Sequence, residues 1–433
     1  MNLLVFSWFY PPIVGGTENI ARAGVGELVR RGHSVTVFTS DHVGAAAPFR
    51  RETLDRSDVI RFRGLHPRSD SAAMAALPEL LRGAMRDCRF DLAHTHLLTY
   101  PLAPARSDIV IKFIRDLGVP WVDQLHGGTY ERDPEACIRL VQQPDYFISD
   151  SFYVAQRINS FLGPSQSWVQ RYKAGGVKIE LPPIEVVYPG IVDAQEFAPD
   201  PERRQRVRAQ LGLQDRFVIF FPSRFFDIDG SLSIAKRPLI ALSAFADMVR
   251  RGFEYATLLT VMPPGFAAMS DEERARLKVA ETIRELGIEG RVVMLSRPVP
   301  HEEMADLYNA ADLCLVPSVE GFGLVFIESM ACGVPVVGVA EGASCEVVGD
   351  WAGILISPRA PIETGLGEAL AKLAHDDALR QRLGILGRQK VAEMFERQGW
   401  AEKLELILNK LKNRRNWDVD QEDMSCQAEN VKL

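Results

Sequence analysis

Short runs of apolar, often β-branched residues alternate with longer amphipathic segments along most of the chain. In the first half these runs predict strands at 3–8, 34–39, 91–95, 121–125, 146–149 and 184–187. The amphipathic segments predict helices at 18–31 and 105–117. A strand followed by a helix and another strand packs as a parallel unit, so the alternation predicts a parallel sheet covered by helices.

The alternation stops at 188–201, where Pro, Gly and Asp residues predict a linker, and then resumes. Strands are predicted at 216–222, 256–262, 291–295, 313–316 and 334–339, and helices at 202–211, 237–251, 271–286, 301–310 and 324–332. The segment 362–412 is strongly helical. We therefore predict an α/β protein with two tandem Rossmann-like domains. Ligands should bind in the cleft between them, at the carboxyl ends of the strands.

Composition narrows the functional class. A chain of 433 residues is too long for one ordinary core, and 47% hydrophobic with 25% charged residues is typical of folded soluble proteins. Acidic residues outnumber basic ones on both sides of residue 200, and the net charge is −7, so we expect no nucleic-acid partner. The six cysteines form no C-x-x-C pair and the apolar N-terminus has no basic n-region. We therefore expect a cytoplasmic protein without a zinc site or a disulfide framework.

The segment 312–341 is apolar apart from its two ends and two internal carboxylates, Glu320 and Glu328. A buried carboxylate is costly unless something hydrogen-bonds it. The glycines in 321–323 predict a tight loop, and a helix beginning at Leu324 would present free N–H groups to an anion. An anionic, hydroxyl-rich ligand accounts for all of these features. The alternative is an exposed loop glutamate followed by a helix-surface glutamate.

A second glycine pair, Gly15 and Gly16, follows the first predicted strand and opens the first helix. Backbone amides at such a place can closely approach a phosphate or a sugar. The pattern is not G-x-G-x-x-G, and the nearest acid, Asp41, lies past the second strand, which weakens a nicotinamide-cofactor interpretation. Glu18 fits either a contact with an acceptor or an ordinary N-terminal helix acid.

The E-x7-E element from Glu320 to Glu328, with Gly-Phe-Gly inside it and Ala-Cys-Gly-Val-Pro-Val-Val after it, resembles a known family. It is similar to the retaining nucleotide-sugar glycosyltransferases of the GT-B fold, family 4. Weaker matches are the D-x-x-H-x-H strand end at 91–96, the interdomain segment at 187–199 and the closing helix around 395–400. Together these matches span roughly residues 1–412.

The resemblance implies a domain organisation. Residues 1–198 would form the acceptor domain and 199–392 the donor domain. A crossover helix at 393–412 would return to the first domain. Independently of the resemblance, the segment 413–433 begins basic and turns polar and acidic, so we expect it to be a mobile tail. The implied fold is therefore GT-B, with an interdomain cleft and a C-terminal crossover helix.

The resemblance also implies an activity, the transfer of a hexosyl-type unit from a UDP- or GDP-sugar to an acceptor hydroxyl, with retention and without a metal or cofactor. The implied catalytic residues are His126, Glu320, Arg224 and Lys236. The implied donor-binding residues are Gly15, Gly16, Arg224, Lys236, Arg297, Glu320, Gly321, Phe322, Gly323, Leu324 and Glu328. Glu18 and His96 would lie on the acceptor side. Fixed cations beside a diphosphate would stabilise the charge that develops as the glycosidic bond breaks.

The sequence departs from the family pattern at one point. The family places the Arg and the Lys closer together, and here 227–233 lies between Arg224 and Lys236 as an insertion. Arg237 is a rival for the role of Lys236. Asp227 and Asp229 have the spacing of a metal motif, but we interpret them as loop polarity.

Three other features can each be interpreted in two ways from the sequence. One of His94 and His96 is expected to be a buried structural residue. The loop 342–346 resembles the family loop behind the ribose, and its alternative is that Glu346 is a structural capping residue. The group Trp168, Arg171, Tyr172 and Lys173 fits a membrane surface or a charged acceptor, although a solvated loop fits it better.

Two functional alternatives remain open from the sequence, a GT-B nucleotide-sugar 2-epimerase and a non-catalytic nucleotide-sugar binding protein. The first would consume donor without an acceptor, and the second would bind donor without turnover. The acceptor, whether a small molecule, a glycan or a lipid-linked sugar, cannot be derived from these motifs.

Overall fold

Two β-sheets, one in each half of the chain, organise the molecule. The computed structural model describes residues 1–13, 15–41, 47–66, 69–84, 88–99, 103–127, 133–176, 178–190, 196–225, 232–261, 269–295, 297 and 299–413. The first sheet has eight strands and the second has six. The two sheets belong to two domains, as the alternation of strands and helices predicts.

The N-terminal sheet has the strand order β3-β4-β2-β1-β5-β6-β7-β8. Its strands are β1 (Asn2–Ser7), β2 (Ser34–Ser40), β3 (Phe49–Leu54), β4 (Ser57–Phe62), β5 (Leu92–His96), β6 (Trp121–Leu125), β7 (Tyr146–Ser149) and β8 (Ile184–Val186). All neighbouring strands pair in parallel except β3 with β4. The central strands β5, β6 and β7 are buried at every residue, as expected for a parallel sheet covered on both faces.

The antiparallel β3–β4 hairpin is absent from the sequence prediction. Its loop has only two residues, Asp55 and Arg56, and both have positive φ, 50° and 64°. That conformation is a two-residue hairpin turn, which normally carries Asn-Gly or Asp-Gly. Because Arg replaces the glycine, the usual sequence signal of the turn is missing.

The helices of this domain lie on both faces of its sheet. They are α1 (Gly16–Arg30), α2 (Ser71–Ala84), α3 (Pro104–Asp116), α4 (Pro134–Leu140), α5 (Phe152–Phe161) and α6 (Ser167–Ala174). Helix α1 begins at Gly16, two residues before the predicted start. In α6, the indole N–H of Trp168 donates to the carbonyl of Phe161 at 2.9 Å, and the two rings stack. This aromatic residue therefore packs within its own domain.

The C-terminal sheet is wholly parallel, with the order β11-β10-β9-β12-β13-β14. Its strands are β9 (Phe217–Phe221), β10 (Ala256–Val261), β11 (Val292–Leu295), β12 (Leu313–Val316), β13 (Val336–Val339) and β14 (Gly353–Ile356). The helices between them are α7 (Pro201–Leu211), α8 (Pro238–Arg250), α9 (Met269–Glu285), α10 (His301–Ala310), α11 (Leu324–Ala331) and α12 (Ser344–Val347). Asp200 caps α7 by accepting from the Arg203 N–H at 2.9 Å, and Gly212 ends it with φ 67°.

Three helices end the described part of the chain: α13 (Ile362–His375), α14 (Asp377–Met394) and α15 (Arg397–Asn413). Helix α15 packs on α1 of the N-terminal domain, where the Trp400 ring lies 3.6 Å from the position of a Cβ on Gly24. Glu405 in α15 binds Arg31 at 3.0 Å and His33 at 2.9 Å. Helix α15, at the end of the described chain, is thus bound to the N-terminal domain. The predicted tail lies outside the described residues from 414 onward.

One continuous cluster of buried apolar side chains links the two domains. It includes Val5 and Ile148 from the first sheet, Val316 from the second, and Phe322 and Trp400 between them. None of the helices in the described ranges combines the length and the apolar composition needed to cross a membrane.

Candidate active site

The carboxyl ends of the two sheets face each other across the cleft. From the N-terminal domain, His126 follows β6 and Asp150 follows β7. From the C-terminal domain, Arg224 follows β9 and Glu320 follows β12. Since each of these residues stands just past a strand, the parallel topology brings them together although they are far apart in sequence.

Glu320 and Lys236 form the best-defined contact of the site. The Lys236 ammonium donates to both carboxylate oxygens of Glu320, at 2.6 and 2.7 Å, and the hydroxyl of Ser318 donates to Oε1 at 2.6 Å. Glu320 is only 8% exposed. The charge of Glu320 is therefore matched by the cation that the sequence predicts for the diphosphate.

Arg237, the rival of Lys236, is engaged elsewhere. Its guanidinium donates to Glu341 at 2.8 Å and to the Pro317 carbonyl at 3.1 Å, within its own domain. The structure thus places Lys236 against Glu320 and turns Arg237 away from it.

Two helix N-termini converge in the cleft. Helix α1 begins at Gly16 and α11 begins at Leu324, and a Cβ on Gly16 would lie 3.8 Å from Leu324 Cδ1. The α11 cap, Gly323, has φ 86°, a conformation that favours glycine. Neither N-cap residue makes a side-chain hydrogen bond, although the Glu18 carboxylate accepts from its own N–H in the first turn of α1. Both helix ends direct N–H groups and the positive end of a helix dipole towards the space between them, which favours an anion.

The backbone of Gly321 is in very close contact with the other domain. A Cβ at this position would lie 2.4 Å from the carbonyl oxygen of His126 and 3.2 Å from Gly127 Cα. Only glycine permits this approach, because a Cβ would overlap with backbone atoms. The loop that carries Glu320 therefore touches the N-terminal domain directly.

Glu328 lies one turn into α11 and is 4% exposed. The Tyr308 hydroxyl donates to its Oε2 at 2.8 Å, and His301 Nδ1 lies 3.7 Å from its Oε1. Burial raises the pKa of Glu328, although His301 and Tyr308 lower it in part. His301 also approaches Asn19 of α1 at 3.5 Å, so this group of residues spans the cleft.

His126 belongs to a buried hydrogen-bond network in the N-terminal domain. Its Nδ1 lies 2.5 Å from Asp150 Oδ2, and its Nε2 lies 2.9 Å from His96 Nδ1. Gln124 also donates to Asp150 at 2.7 Å and lies 3.0 Å from His94 Nε2. Both ring nitrogens of His126 thus have partners within the domain, and its backbone carbonyl is the group that meets Gly321.

His94 and His96 are both buried, whereas the sequence predicts that only one of them is a buried structural residue. Burial lowers the pKa of His94 to about 4, and burial together with the neighbouring histidines lowers the pKa of His96 well below its usual value. Both rings are therefore neutral at physiological pH. His96 reaches the cleft only through its contact with His126.

Three more of the predicted site residues occupy different surroundings. The carboxylate of Glu18 lies over Gly15, since a Cβ there would stand 2.2 Å from Glu18 Oε2. Burial raises the pKa of Glu18, and the nearby His126 and Arg224 lower it. Arg224 is exposed in the cleft. Arg297 is exposed and donates to Glu303 at 2.5 Å, whereas Ser296 and Pro298 lie outside the described residues.

The sequence analysis did not identify four functional candidates: Asp150, His301, Tyr308 and Ser318. None stands in a motif, and their contacts with His126, Glu328 and Glu320 span between 2 and 27 residues of sequence. Only Ser318 is close enough in sequence to Glu320 for local inspection to suggest it. Within the described ranges, no group of three or more His, Cys, Asp or Glu side chains could hold a metal ion. Asp227 and Asp229 lie outside those ranges.

Comparisons with known proteins bear on this arrangement. The model of Glycosyltransferase Family 4 matches residues 14–195, and that of Glycosyl transferases group 1 matches residues 207–390. A D-inositol 3-phosphate glycosyltransferase of a Nocardioides species is 30% identical over 396 residues, covering 85% of this chain and 79% of the relative. A GDP-mannose-dependent alpha-(1-6)-phosphatidylinositol monomannoside mannosyltransferase of Mycolicibacterium smegmatis is 27% identical, covering 88% of this chain and 91% of the relative.

Solved structures show the same architecture. Sucrose-phosphate synthase from Thermosynechococcus elongatus superposes with a TM-score of 0.72 at 20% identity, covering 95% of this chain and 98% of that one. Anabaena HepE in complex with UDP and glucose superposes with a TM-score of 0.69 at 19% identity, covering 95% and 100%. These likenesses confirm the predicted fold of two Rossmann-like domains around a cleft.

Proposed function

The chain belongs to glycosyltransferase family 4 and is a glycosyltransferase, and from this premise we propose that it moves a hexosyl unit from a nucleoside diphosphate sugar to an acceptor hydroxyl. We further propose that the anomeric configuration is retained. The observation that carries the proposal is the meeting of Glu320, Lys236 and two helix N-termini in one cleft.

The diphosphate of the donor fits between the N-termini of α1 and α11. Amides at Phe322, Gly323 and Leu324 would donate to its oxygens, with Gly15 and Gly16 opposite them. Arg224 and Lys236 would add fixed positive charge where the leaving group becomes more negative. In this arrangement protein cations and amides supply the neutralisation that a metal ion supplies in other transferases.

The two buried carboxylates fit the hydroxyl groups of the donor. Glu320 lies next to Lys236 and would accept from the hydroxyls of the sugar. Glu328, deeper in the C-terminal domain beside Tyr308 and His301, would accept from the ribose hydroxyls. Hydrogen bonds to a charged acceptor are about twice as strong as neutral ones, which suits a role in holding the donor.

Transfer with retention would take place on one face of the sugar, with the departing phosphate helping to deprotonate the acceptor hydroxyl. The N-terminal domain, with Glu18 at the cleft, would hold the acceptor, and His126 of the same domain would contact the donor sugar. Relatives named for inositol 3-phosphate and for a phosphatidylinositol mannoside suggest a cyclic polyol or a glycan built on one. The name GDP-mannose in one relative and UDP in a neighbour's title support testing both bases.

The test begins with donor. UDP- and GDP-sugars are screened by isothermal titration and by release of nucleoside diphosphate, with inositol phosphate and phosphatidylinositol as acceptors, and NMR identifies any product. Consumption of donor without acceptor and formation of an epimer would point instead to an isomerase.

Glu320→Ala and Lys236→Ala should each lower transfer by more than about tenfold while the fold is retained. Each variant removes a charged protein side chain that would lie beside the reacting end of the donor. The matched control is the exposed pair of Arg251 and Glu368 in the same domain, 3.0 Å apart, whose Ala variants should keep wild-type rates. Wild-type transfer by both the Glu320 and the Lys236 variants would refute the assignment of the site.

A further inference from the structure

We propose that Glu346 is a positioning residue for the transfer reaction: its carboxylate holds the two domains together and thereby sets the position of the loop Gly321–Gly323. The inference rests on the proposed function, because that loop matters only if it binds the donor. The sequence leaves Glu346 either behind the ribose or as a structural cap, and the structure shows a cap on a helix of the other domain.

The carboxylate of Glu346 accepts three hydrogen bonds from outside its own domain. Oε2 accepts from the Phe152 N–H and Oε1 from the Tyr153 N–H, both at 2.9 Å. The hydroxyl of Tyr188, at the start of the interdomain segment, donates to Oε2 at 3.1 Å. Glu346 itself stands in the short helix α12 of the C-terminal domain.

Phe152 and Tyr153 are the first two residues of α5. Their N–H groups have no partner within the helix, and the positive end of the helix dipole favours a carboxylate there. The third N–H, that of Val154, is taken by the helix's own cap, Ser151 Oγ, at 3.1 Å. The N-terminus of α5 is therefore capped partly by its own domain and partly by Glu346 across the cleft.

Ser151 and Tyr188, which adjoin the Glu346 contact, also touch the loop Gly321–Gly323 that we assign to the diphosphate. The hydroxyl of Ser151 donates to the Gly321 carbonyl at 2.5 Å. The ring of Tyr188 stacks on Phe322, with centroids 6.0 Å apart and planes 20° from parallel. It also meets the edge of Phe395, just before the crossover helix, at 5.5 Å. Fixing Tyr188 and α5 therefore fixes both Gly321 and Phe322.

Opening of the cleft would break all three hydrogen bonds to Glu346 together. Without this carboxylate the closed arrangement is less populated before donor binds, and the apparent affinity for donor falls by the same fraction. Saturating donor restores closure. The loss should therefore be larger in the donor KM than in kcat.

The experiment compares Glu346→Ala with Asp376→Ala. Asp376 caps α14 by accepting from the Leu379 N–H at 2.9 Å, so its variant loses a helix cap of the same kind inside a single domain. For each protein we would measure the thermal midpoint, the radius of gyration without ligand by small-angle X-ray scattering, and the dissociation constant of the donor found in the screen. Glu346→Gln serves as a second variant, in case the Ala variant does not fold.

We expect both Ala variants to lose stability, but only Glu346→Ala to increase the radius of gyration and to weaken donor binding, by about tenfold or more. An unchanged radius and a dissociation constant within twofold of wild type would overturn the proposal. So would an equal loss of donor affinity in the Asp376 variant. If the wild type binds no nucleotide sugar, the proposed function fails, whereas the scattering comparison still decides whether Glu346 holds the domains together.

Discussion

Replacing Gly321 with alanine is a direct steric test of the contact between the domains. The three atoms nearest to a Cβ at this position all belong to the N-terminal domain: His126 O at 2.4 Å, Gly127 Cα at 3.2 Å and His126 C at 3.3 Å. The added methyl group should therefore leave the C-terminal domain intact and push the two domains apart.

The magnitude follows from the overlap. Ordinary van der Waals contact of a Cβ begins at 3.4 Å, so the backbone must move by about 1 Å to relieve a separation of 2.4 Å. Forcing extra volume into a well-packed contact costs about 1–3 kcal/mol. At about 1.4 kcal/mol per factor of ten, the closed state becomes about 5- to 150-fold less populated relative to the open one.

The assay is the release of nucleoside diphosphate at low donor concentration, which reports kcat/KM, together with the thermal midpoint. We expect kcat/KM to fall by the factor above, whereas the thermal midpoint falls by only a few degrees, since opening of the cleft relieves the clash.

The control variant is Gly26→Ala in α1, where no atom lies within 4 Å of the added methyl. Alanine there should stabilise the helix by about 0.5–1 kcal/mol and leave kcat/KM unchanged. Wild-type kcat/KM in Gly321→Ala would show that the reacting enzyme does not use this close approach of the domains.

Two further predictions concern buried titratable groups. Glu328→Gln should weaken donor binding by about tenfold or more, because the ribose hydroxyls lose a charged acceptor. Since burial raises the pKa of Glu328, the folded state favours its proton, and this group's contribution to stability falls as pH rises above about 4. The Gln variant should therefore gain stability relative to wild type between pH 4 and pH 8 in thermal unfolding, and parallel pH curves would contradict this. Burial lowers the pKa of His94 to about 4, so the unfolded chain binds a proton more readily, and up to about 3 kcal/mol of stability is lost as pH falls from 6.5 towards 4. His94→Gln should flatten that part of the curve, and an unchanged slope would show that His94 is not the responsible group.

Much of the fold could be predicted from local pattern. The buried strand β9 is a continuous apolar run and β7 is one up to its last residue, and the parallel topology follows from the helices between the strands. Strands β5 and β6 are just as buried but carry His, Thr, Asp and Gln residues. The β3–β4 hairpin could not be predicted, because Asp55 and Arg56 adopt a turn that their residue types rarely indicate. Local chemistry identifies a turn only when it carries the usual residues.

For the candidate site, the sequence predicted which loops matter but not how their side chains pair. Both carboxylates and both glycine pairs could be located from their apolar surroundings. Lys236 and Glu320 are separated by 84 residues, and nothing local indicates that the ammonium binds this carboxylate. The internal pairing of His126 with Asp150 and His96 likewise depends on neighbouring strands.

The sequence by itself determined two parallel-sheet domains and a cleft chemistry of carboxylates, cations and helix N-termini. The sheets, the carboxylates and the helix N-termini follow from burial periodicity and residue type, both of which are local, whereas the roles of Arg224 and Lys236 follow from the resemblance to the family. The tertiary structure alone decided which groups meet across the cleft: Gly321 on the His126 carbonyl, and Glu346 on the α5 N-terminus, 194 and 193 residues from Phe152 and Tyr153. Such contacts depend on the relative placement of two separately folded cores, which no local pattern of hydrophobic and polar residues encodes.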